Sequence, residues 1–415
     1  LRQAGMTSAV FSVHGNGGAP RVHAGFPESI DIAPSPDGRW LAYQEGQQAY
    51  VVAMPAADRA TPASLAIDKR AAGSPVRRLS IDGGLFPAWN RAGAVGYFAG
   101  ARFVWGQPAD ATLRQAAIGL QVEQPQATRT LALVNARILT MDARQVIARG
   151  TVLVRGRRIV AVGSDIAVPA DAEVVDLQGK VVMPGLIDVH AHHFGGGPFG
   201  GPDRGIIPQR RVESANYLAY GVTTTFDPAT PAEDTFPVAE LTQAGKLIGP
   251  RVFTTADPLV GTGDSSVGDP DAALHHADRL SNWGALGIKQ YYQPRRDQRQ
   301  WVTQAARARG NILVTGEGMD FPYNLAMIMD GQTAWEHPIL DIPLYDDVVQ
   351  FVARSGIVYN PELITPGQGR YILEHYLATS DLPNDPKQRN WVNWQWLARK
   401  QSYSLRPLSE YPVML

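Results

Sequence analysis

The sequence of 415 residues contains no cysteine. This absence excludes disulfides, cysteine-ligated zinc and a cysteine nucleophile, but it does not fix the cellular compartment. The sequence also lacks any run of about 18 apolar residues, so no membrane-spanning helix is expected. Neither sign of charge dominates, because 38 basic residues stand against 39 acidic ones. Nothing therefore favours binding to nucleic acid or to an anionic membrane.

The chain begins at Leu1, with neither a methionine nor a basic and then apolar leader. We therefore expect that processing or truncation removed its beginning, and the sequence leaves periplasmic, secreted and cytoplasmic locations open. The length predicts two or three domains. With 44% hydrophobic residues, 41 glycines and 31 prolines, the composition indicates a globular, turn-rich protein.

Two sets of short strands succeed each other near the N-terminus. The first surrounds a Pro-Asp-Gly turn at Pro36, Asp37 and Gly38, which are residues with intrinsic turn geometry. The second covers residues 79–105 with a similar plan. A repeat of short strands at intervals of roughly 40 to 50 residues is typical of propeller blades. Two unrelated hairpins are the alternative.

The middle of the chain, from Thr130 to Asp176, alternates short apolar strands with regular turns. The alternation, and an Arg-Gly-Arg-Arg hairpin around Gly156, predict a small antiparallel sheet.

The run from Val182 to Phe194 leads from an apolar stretch into three histidines. On a strand, His190 and His192 would project to the same side and form half of a metal site. A pair of exposed loop histidines is the alternative. The lead-in 186–189 is short and mostly apolar, which indicates a buried parallel strand. His193 is expected to face away from the pair.

Strands then alternate with helical stretches, which predicts a parallel (β/α)8 barrel. We predict further strands at 221–227, 251–256, 284–291, 311–317, 332–337 and 356–361, with no eighth strand. Helices are predicted at 369–378 and 390–403. His275 and His276 lie on a helical stretch and are expected at the surface. The glycine-rich segment 194–205 lacks the Gly-Lys-Ser/Thr ending of a phosphate-binding loop, so nucleotide binding is not expected.

The run from Gly179 to His192 resembles the motif that opens the barrel of the amidohydrolase superfamily, in its imidazolonepropionase-like branch. Residues 35–40 resemble the TolB-type β-propeller repeat closely, and residues 87–93 resemble it loosely. The resemblance implies a multidomain β plus α/β protein that is truncated at both ends. Residues 1–127 would be a propeller remnant, 128–183 the N-terminal part of a small β-sandwich, and 184–415 an incomplete (β/α)8 barrel lacking its last strand.

Polar residues that end apolar barrel strands are the candidate site residues. The resemblance implies that His190, His192, Lys289, Glu317 and His337 bind one or two divalent metal ions, with zinc as the expected metal. A plain ammonium at Lys289 would repel a cation, and the family often carbamylates this lysine. Glu317 stands where histidine is commonest, and carboxylates also bind zinc. The alternatives are a solvent-exposed rim lysine at Lys289 and a hydrogen-bonded rim histidine at His337.

The function implied by the resemblance is hydrolysis of a C–N bond by metal-activated water. The substrate would be an amide, a cyclic amide or a small peptide, and Thr262, Asp264, Tyr291 and Tyr292 are candidate substrate-binding residues. No catalytic residue is identified, because the family's proton-transfer aspartate would lie beyond Leu415, and the present chain could lack activity. The alternative is a non-catalytic binding protein with a degenerate barrel. Homo-oligomers and propeller-mediated protein contacts stay open.

Overall fold

The computed structural model describes residues 8–55, 66–125, 127–193, 212–261, 265–310, 313–318, 320–339, 343–362, 379–381 and 384–392. The chain divides into two compact units. Unit 1 comprises Leu1–Leu120 and Thr255–Leu363, and unit 2 comprises Gln121–Thr254 and Ile364–Leu415. None of the helices in these described ranges combines the length and the apolar character needed to cross a membrane.

The N-terminal part of unit 1 consists of antiparallel sheets. A two-stranded sheet is followed by two four-stranded sheets whose strands pair in chain order. The strands are β1 (Ser8–Ser12), β2 (Arg21–Phe26), β3 (Ser29–Pro34), β4 (Trp40–Glu45), β5 (Gln48–Ala53), β6 (Arg77–Arg78), β7 (Leu85–Trp89), β8 (Val95–Ala99), β9 (Arg102–Gly106) and β10 (Arg114–Ala117). The predicted repeat of short-strand sets is confirmed, and the propeller stays a prediction.

The predicted turn between β3 and β4 has the expected chemistry. The Ser35 hydroxyl donates to Asp37 Oδ1 at 2.6 Å, and the same oxygen accepts from the Arg39 amide at 3.0 Å. Gly38 has a φ of 70°, a conformation that glycine adopts without strain. The two four-stranded sheets are tied together by Trp89, whose indole N–H donates to the Ala33 carbonyl at 2.8 Å.

The first part of unit 2 is one mixed sheet. Its strands are β11 (Thr130–Leu139), β12 (Val146–Arg155), β13 (Arg158–Gly163), β14 (Glu173–Asp176) and β15 (Val181–Val182). The predicted hairpin is confirmed, since Arg155 pairs with Arg158 around Gly156. The purely antiparallel prediction was wrong, because β14 and β15 run parallel to β11. The chain crosses from β13 to the opposite side of β11, and such a crossover permits parallel pairing. The second layer of a sandwich stays a prediction.

A parallel sheet follows within unit 2, with its strands in the order β16 (Leu186–Asp188), β17 (Val222–Asp227) and β18 (Arg251–Thr254). Its helices are α1 (Val212–Ala219) and α2 (Ala232–Gln243). Gly185 is required before β16, because a Cβ there would lie 2.1 Å from Thr223 Oγ1. The predicted burial of the first strand was wrong. Ile187 is 64% exposed, since β16 lies at the edge of this sheet and pairs with β17 alone among the described strands.

The chain then returns to unit 1 with alternating helices and strands. These are α3 (Pro270–Trp283), β19 (Gly287–Gln290), α4 (Arg296–Ala308), β20 (Leu313–Gly316), α5 (Phe321–Met329), β21 (Ala334–Glu336), α6 (Asp346–Ser355) and β22 (Val358–Asn360). β19 pairs with β20 and β21 with β22, both in parallel. The Thr333 amide donates to the Val314 carbonyl at 3.1 Å and so places β21 beside β20. All six strands predicted after the first are therefore confirmed, and closure into a barrel stays a prediction.

Helix α3 also packs on the N-terminal sheets of unit 1. The Trp283 indole N–H donates to the Asp82 carbonyl at 3.1 Å. Glycine leaves room for the Trp283 ring at positions 83 and 100. A Cβ at Gly83 would lie 2.8 Å from the ring, and a Cβ at Gly100 would lie 3.0 Å from it. This helix corrects one prediction, since His276 is buried while His275 is exposed. His276 is buried because it shares the packed face of α3 with Ala273 and Leu280, at helical spacing.

The described end of unit 2 contains α7 (Pro386–Trp391). Lys387 Nζ lies 4.2 Å above the ring of Tyr220, which follows α1. The predicted helix at 369–378 and the glycine-rich segment 194–205 lie outside the described residues, and the predicted helix at 390–403 lies almost entirely outside them.

A buried carboxylate, Asp330, holds the end of α5 against α4. Its oxygens accept from Arg299 Nε at 2.8 Å, from Arg296 Nε at 2.9 Å and from Gln300 Nε2 at 3.0 Å. The Asp330 and Arg299 side chains are at most 3% exposed. Removing one partner of such a pair leaves the other charge buried without compensation, which is the costly case for an internal ion pair.

We predict that D330N lowers the free energy of unfolding of unit 1 by about 3 kcal/mol, because Arg299 would be left buried without its anion. Urea denaturation followed by tryptophan fluorescence measures this loss. The matched control is D297N, which neutralises an aspartate whose ion pair with Arg295 is about half exposed. The control is expected to cost less than about 1 kcal/mol. Equal losses in the two variants would contradict the role given to Asp330.

Candidate metal centre

The candidate ligands fall into two clusters, one in each unit. The histidine cluster of unit 2 contains His190, His192 and Asp227. The lysine cluster of unit 1 contains Lys289, Glu317 and His337. Each cluster stands at the carboxyl ends of parallel strands, the position where polar side chains are expected in α/β folds.

In the histidine cluster, the two imidazole rings are neighbours. Their centroids are 5.0 Å apart and the ring planes meet at 81°. The pair lies in a bend just after β16 rather than on the strand itself, which ends at Asp188. This bend is fixed by two hydrogen bonds: the His190 amide donates to Asp188 Oδ1 at 3.0 Å, and the Ala191 amide donates to the Phe226 carbonyl at 3.0 Å. The predicted juxtaposition thus arises from the bend, not from strand alternation.

Asp227 completes the histidine cluster and was missed in the sequence. It ends β17, and its side chain is fully buried. Its Oδ1 lies 3.1 Å from His192 Nδ1, and its Oδ2 accepts from the His193 amide at 2.7 Å. The signal that would have revealed it is a carboxylate at the end of a predicted parallel strand, the position that also singled out Lys289.

His193 has a different environment from the pair before it. Its side chain is buried, its Nε2 lies 2.9 Å from Thr225 Oγ1, and its ring centroid lies 5.3 Å from that of Tyr217. His193 is therefore a hydrogen-bonded core histidine.

The lysine cluster is a chain of charges within unit 1. Lys289 Nζ lies 3.0 Å from Glu317 Oε2, and Glu317 Oε1 lies 2.9 Å from His337 Nε2. The Lys289 side chain has no exposed surface, so the alternative of a solvent-exposed rim lysine is wrong. Register explains the contact, since Lys289 pairs with Thr315 on β20 and Glu317 follows that strand directly.

The electrostatics of this cluster favour a carboxylate at Glu317. Burial by itself would raise the pKa of Glu317, but the hydrogen bond with His337 and the positive charge of Lys289 outweigh burial and lower the pKa to about 2. Nearby, burial and then the negative charge of Glu317 raise the pKa of the Tyr291 phenol. Glu317 therefore offers an anionic oxygen ligand throughout the physiological pH range.

His337 is held in an unusual backbone conformation. Its φ is 72°, in the left-handed region that non-glycine residues seldom adopt and that clusters at functional sites. The neighbouring Glu336 anchors the segment, because its carboxylate accepts from Thr315 Oγ1 at 2.6 Å and from Asn360 Nδ2 at 3.0 Å. His337 Nε2 also lies 3.9 Å from Glu362 Oε1, a carboxylate after β22 that the sequence interpretation missed.

The donor chemistry of both clusters suits a divalent ion, with one condition. Imidazole nitrogens and carboxylate oxygens are ordinary zinc ligands. Lys289 fits as a ligand only after it has lost its positive charge, because as an ammonium it neutralises Glu317 and repels a cation. The unmodified cluster is therefore a charge-balanced network, and His190, His192, Glu317 and His337 are the residues whose chemistry fits a metal directly.

The candidate substrate residues are only partly described. Tyr291 and Tyr292 are 38% and 41% exposed, and Lys289 Nζ lies 5.5 Å from the Tyr291 ring centroid. The Tyr292 ring stacks on Tyr323 with 5.6 Å between centroids. Thr262 and Asp264 lie outside the described residues.

Comparisons with known proteins find partial similarity to several hydrolases. The chain is 47% identical over 68 residues to an N-substituted formamide deformylase of Arthrobacter pascens. The matched segment covers 15% of this chain and 12% of that protein. It is 30% identical over 163 residues to the dihydroorotase of Ehrlichia canis, covering 38% and 34% respectively. It is 35% identical over 103 residues to the imidazolonepropionase of Rhizobium meliloti, covering 23% and 24%.

These partial matches agree with the resemblance of the sequence motif to the amidohydrolase superfamily. The matched segments span about a third or less of the length of these relatives. No family model matches the chain. Among solved structures, a Xaa-Pro dipeptidase with bound methionine is similar with a TM-score of 0.46 and 16% identity, over 66% of this chain and 73% of that one.

We predict that E317Q lowers the free energy of unfolding of the metal-free protein by about 3 kcal/mol, because Lys289 would stay buried without its anion. The double variant E317Q/K289M removes both charges and is expected to recover at least about 1 kcal/mol of that loss. Urea denaturation after EDTA treatment measures both values. If the double variant is no more stable than E317Q alone, the ion pair does not govern this cluster.

Proposed function

We propose that this chain is a metal-dependent hydrolase of the amidohydrolase type that cleaves a C–N bond in an amide, a cyclic amide or a small peptide. The observation that carries the proposal is the histidine cluster, in which two imidazoles 5.0 Å apart follow a parallel strand and one of them contacts a buried carboxylate. The names of the three curated relatives all denote cleavage of a C–N bond, which supports the same reaction class.

The proposed ligands are His190, His192, Glu317 and His337, together with Lys289 in carbamylated form. One or two divalent ions are expected, with zinc favoured by the nitrogen and oxygen donors. When bound, the metal supplies activation of water and polarisation of the substrate carbonyl. Carbamylation joins the neutral Lys289 amine to carbon dioxide, which replaces a cation by an anion at a fully buried position.

The chain's own residues have distinct proposed roles. Glu317 offers a carboxylate oxygen 2.9 Å from His337 Nε2, so these two ligands lie together. His337 is presented by a backbone conformation that its neighbours fix. Tyr291 and Tyr292 offer partly exposed rings beside the lysine cluster, and we propose that they contact the substrate with Thr262 and Asp264. A small amide or dipeptide-like substrate suits aromatic rings and hydroxyl groups.

The proposed domain organisation follows the same resemblance. Residues 1–127 would be the last blades of a β-propeller, a proposal supported by two successive four-stranded antiparallel sheets. Residues 128–183 would belong to a β-sandwich, and residues 184–415 to an incomplete (β/α)8 barrel. Two runs of parallel strands, β16–β18 and β19–β22, support the last proposal.

Metal analysis of the purified chain tests the proposal. We expect one or two divalent ions per chain after incubation with zinc at neutral pH, where imidazoles are free to bind. H190N/H192N is expected to lose at least half of the bound metal, whereas H275N, which changes an exposed histidine on α3, is expected to bind as the wild type does. Less than about 0.2 ion per wild-type chain would favour a non-catalytic binding protein instead.

The reaction class needs its own measurement. The zinc-loaded chain is offered an N-formyl amine, a dihydropyrimidine-type cyclic amide and a Xaa-Pro dipeptide, and release of the amine or ring-opened product is followed. We expect hydrolysis in one class, lost on treatment with EDTA and reduced about 10- to 100-fold or more by E317A, because a ligand to the metal is removed. A metal-loaded chain that hydrolyses none of the three would contradict activity of this chain toward these substrate classes and leave metal binding standing.

A further inference from the structure

Asp227, the carboxylate of the histidine cluster, is held by several hydrogen-bond donors. Its Oδ2 accepts from the His193 amide at 2.7 Å, and its Oδ1 accepts from the Thr230 amide at 3.1 Å. The Thr235 hydroxyl lies 3.5 Å from Oδ2. These donors come from the segments after β16 and β17, and the Asp227 side chain is fully buried. The position of the carboxylate is therefore set by the backbone.

We propose that Asp227 is a positioning residue that fixes the tautomer of His192. Asp227 Oδ1 lies 3.1 Å from His192 Nδ1, so the ionised carboxylate requires a proton on Nδ1. In the neutral ring the lone pair then resides on Nε2, which becomes the ligating nitrogen. A carboxylate that holds the far nitrogen of a ligand histidine orients the ring and raises its basicity. This inference rests on the proposed metal binding of His192.

The geometry of the two oxygens makes the inference testable by a single-atom change. In D227N the side-chain oxygen is expected to stay with the His193 amide, the shortest of the contacts. The amide nitrogen would then face His192 Nδ1 and donate to it, and the Thr230 amide would lose its acceptor. The ring would respond by placing its proton on Nε2, so the ligating nitrogen would be blocked. The lost hydrogen bond of Thr230 lowers stability but does not itself set the tautomer of His192.

A purely structural role is the competing explanation, because Asp227 also joins the backbone after β16 to the backbone after β17. A structural role predicts loss of stability with no change in the tautomer of the protein that remains folded. Asp188, which ends the neighbouring strand β16, provides the matched control. Among the contacts described, Asp188 Oδ1 accepts a hydrogen bond from the backbone amide of His190. An asparagine oxygen can accept the same hydrogen bond equally well.

The test reads the tautomer directly by NMR of the metal-free chain with ¹⁵N-labelled histidine, using H192Q to assign the signals. Wild type and D188N are expected to show a protonated Nδ1 and an unprotonated Nε2 at His192, whereas D227N is expected to show the reverse. Zinc affinity, measured by competition with a chromophoric chelator, is expected to fall about 10- to 100-fold in D227N and to change less than about 2-fold in D188N.

The outcomes separate this inference from the proposed function. A wild-type His192 protonated on Nε2 overturns the inference without any variant, so the result does not depend on the folding of D227N. A folded D227N that keeps the wild-type tautomer and zinc affinity also overturns it. A wild-type chain that shows the expected tautomer but binds no zinc refutes the metal proposal and the role of Asp227 in it, and confirms only the local hydrogen bond.

Discussion

A buried charge must lie beside its counter-charge, and this constraint organises the lysine cluster of unit 1. Lys289 has no exposed surface, and its ammonium reaches an anion only because parallel register places Glu317 two residues beyond Thr315, the neighbour of Lys289 on β20. The next strand is bonded to β20 through Thr333, and so His337 follows at the same edge. The cluster is thus a result of strand order: adjacent strands end together, and their polar ends must satisfy one another.

The same rule acts in other parts of the described chain, with different partners. Asp330 is surrounded by guanidinium and amide donors of α4, and Glu336 accepts from a threonine and an asparagine. Asp227 is held mainly by backbone amides and a histidine. Asp330 serves packing, because its own side chain and that of Arg299 are buried. The other two carboxylates lie next to residues that end strands, where rigid placement of an imidazole has chemical value.

Short strand-like runs ending in polar residues predicted the seven parallel strands and the neighbourhood of Lys289, Glu317 and His337, since polar ends of adjacent parallel strands meet at one edge of a sheet. Other features depend on tertiary contacts. His276 is buried because it lies on the packed face of α3, and Ile187 is exposed because β16 lies at a sheet edge. The parallel pairing of β14 required a crossover that alternation does not encode. Asp227 ends a predicted parallel strand and was therefore a candidate by the same criterion, but it was not predicted.

The hydrogen bond between Trp283 and Asp82 joins residues 201 positions apart. Unit 1 is accordingly discontinuous, with the whole of residues 121–254 inserted between its halves. During synthesis the N-terminal sheets must wait for α3 to leave the ribosome before Gly83 and Gly100 receive the indole that covers them. Vectorial synthesis therefore separates the two halves of unit 1 by the whole inserted segment, and their contact forms only by closure of a long loop, which is a slow step in folding.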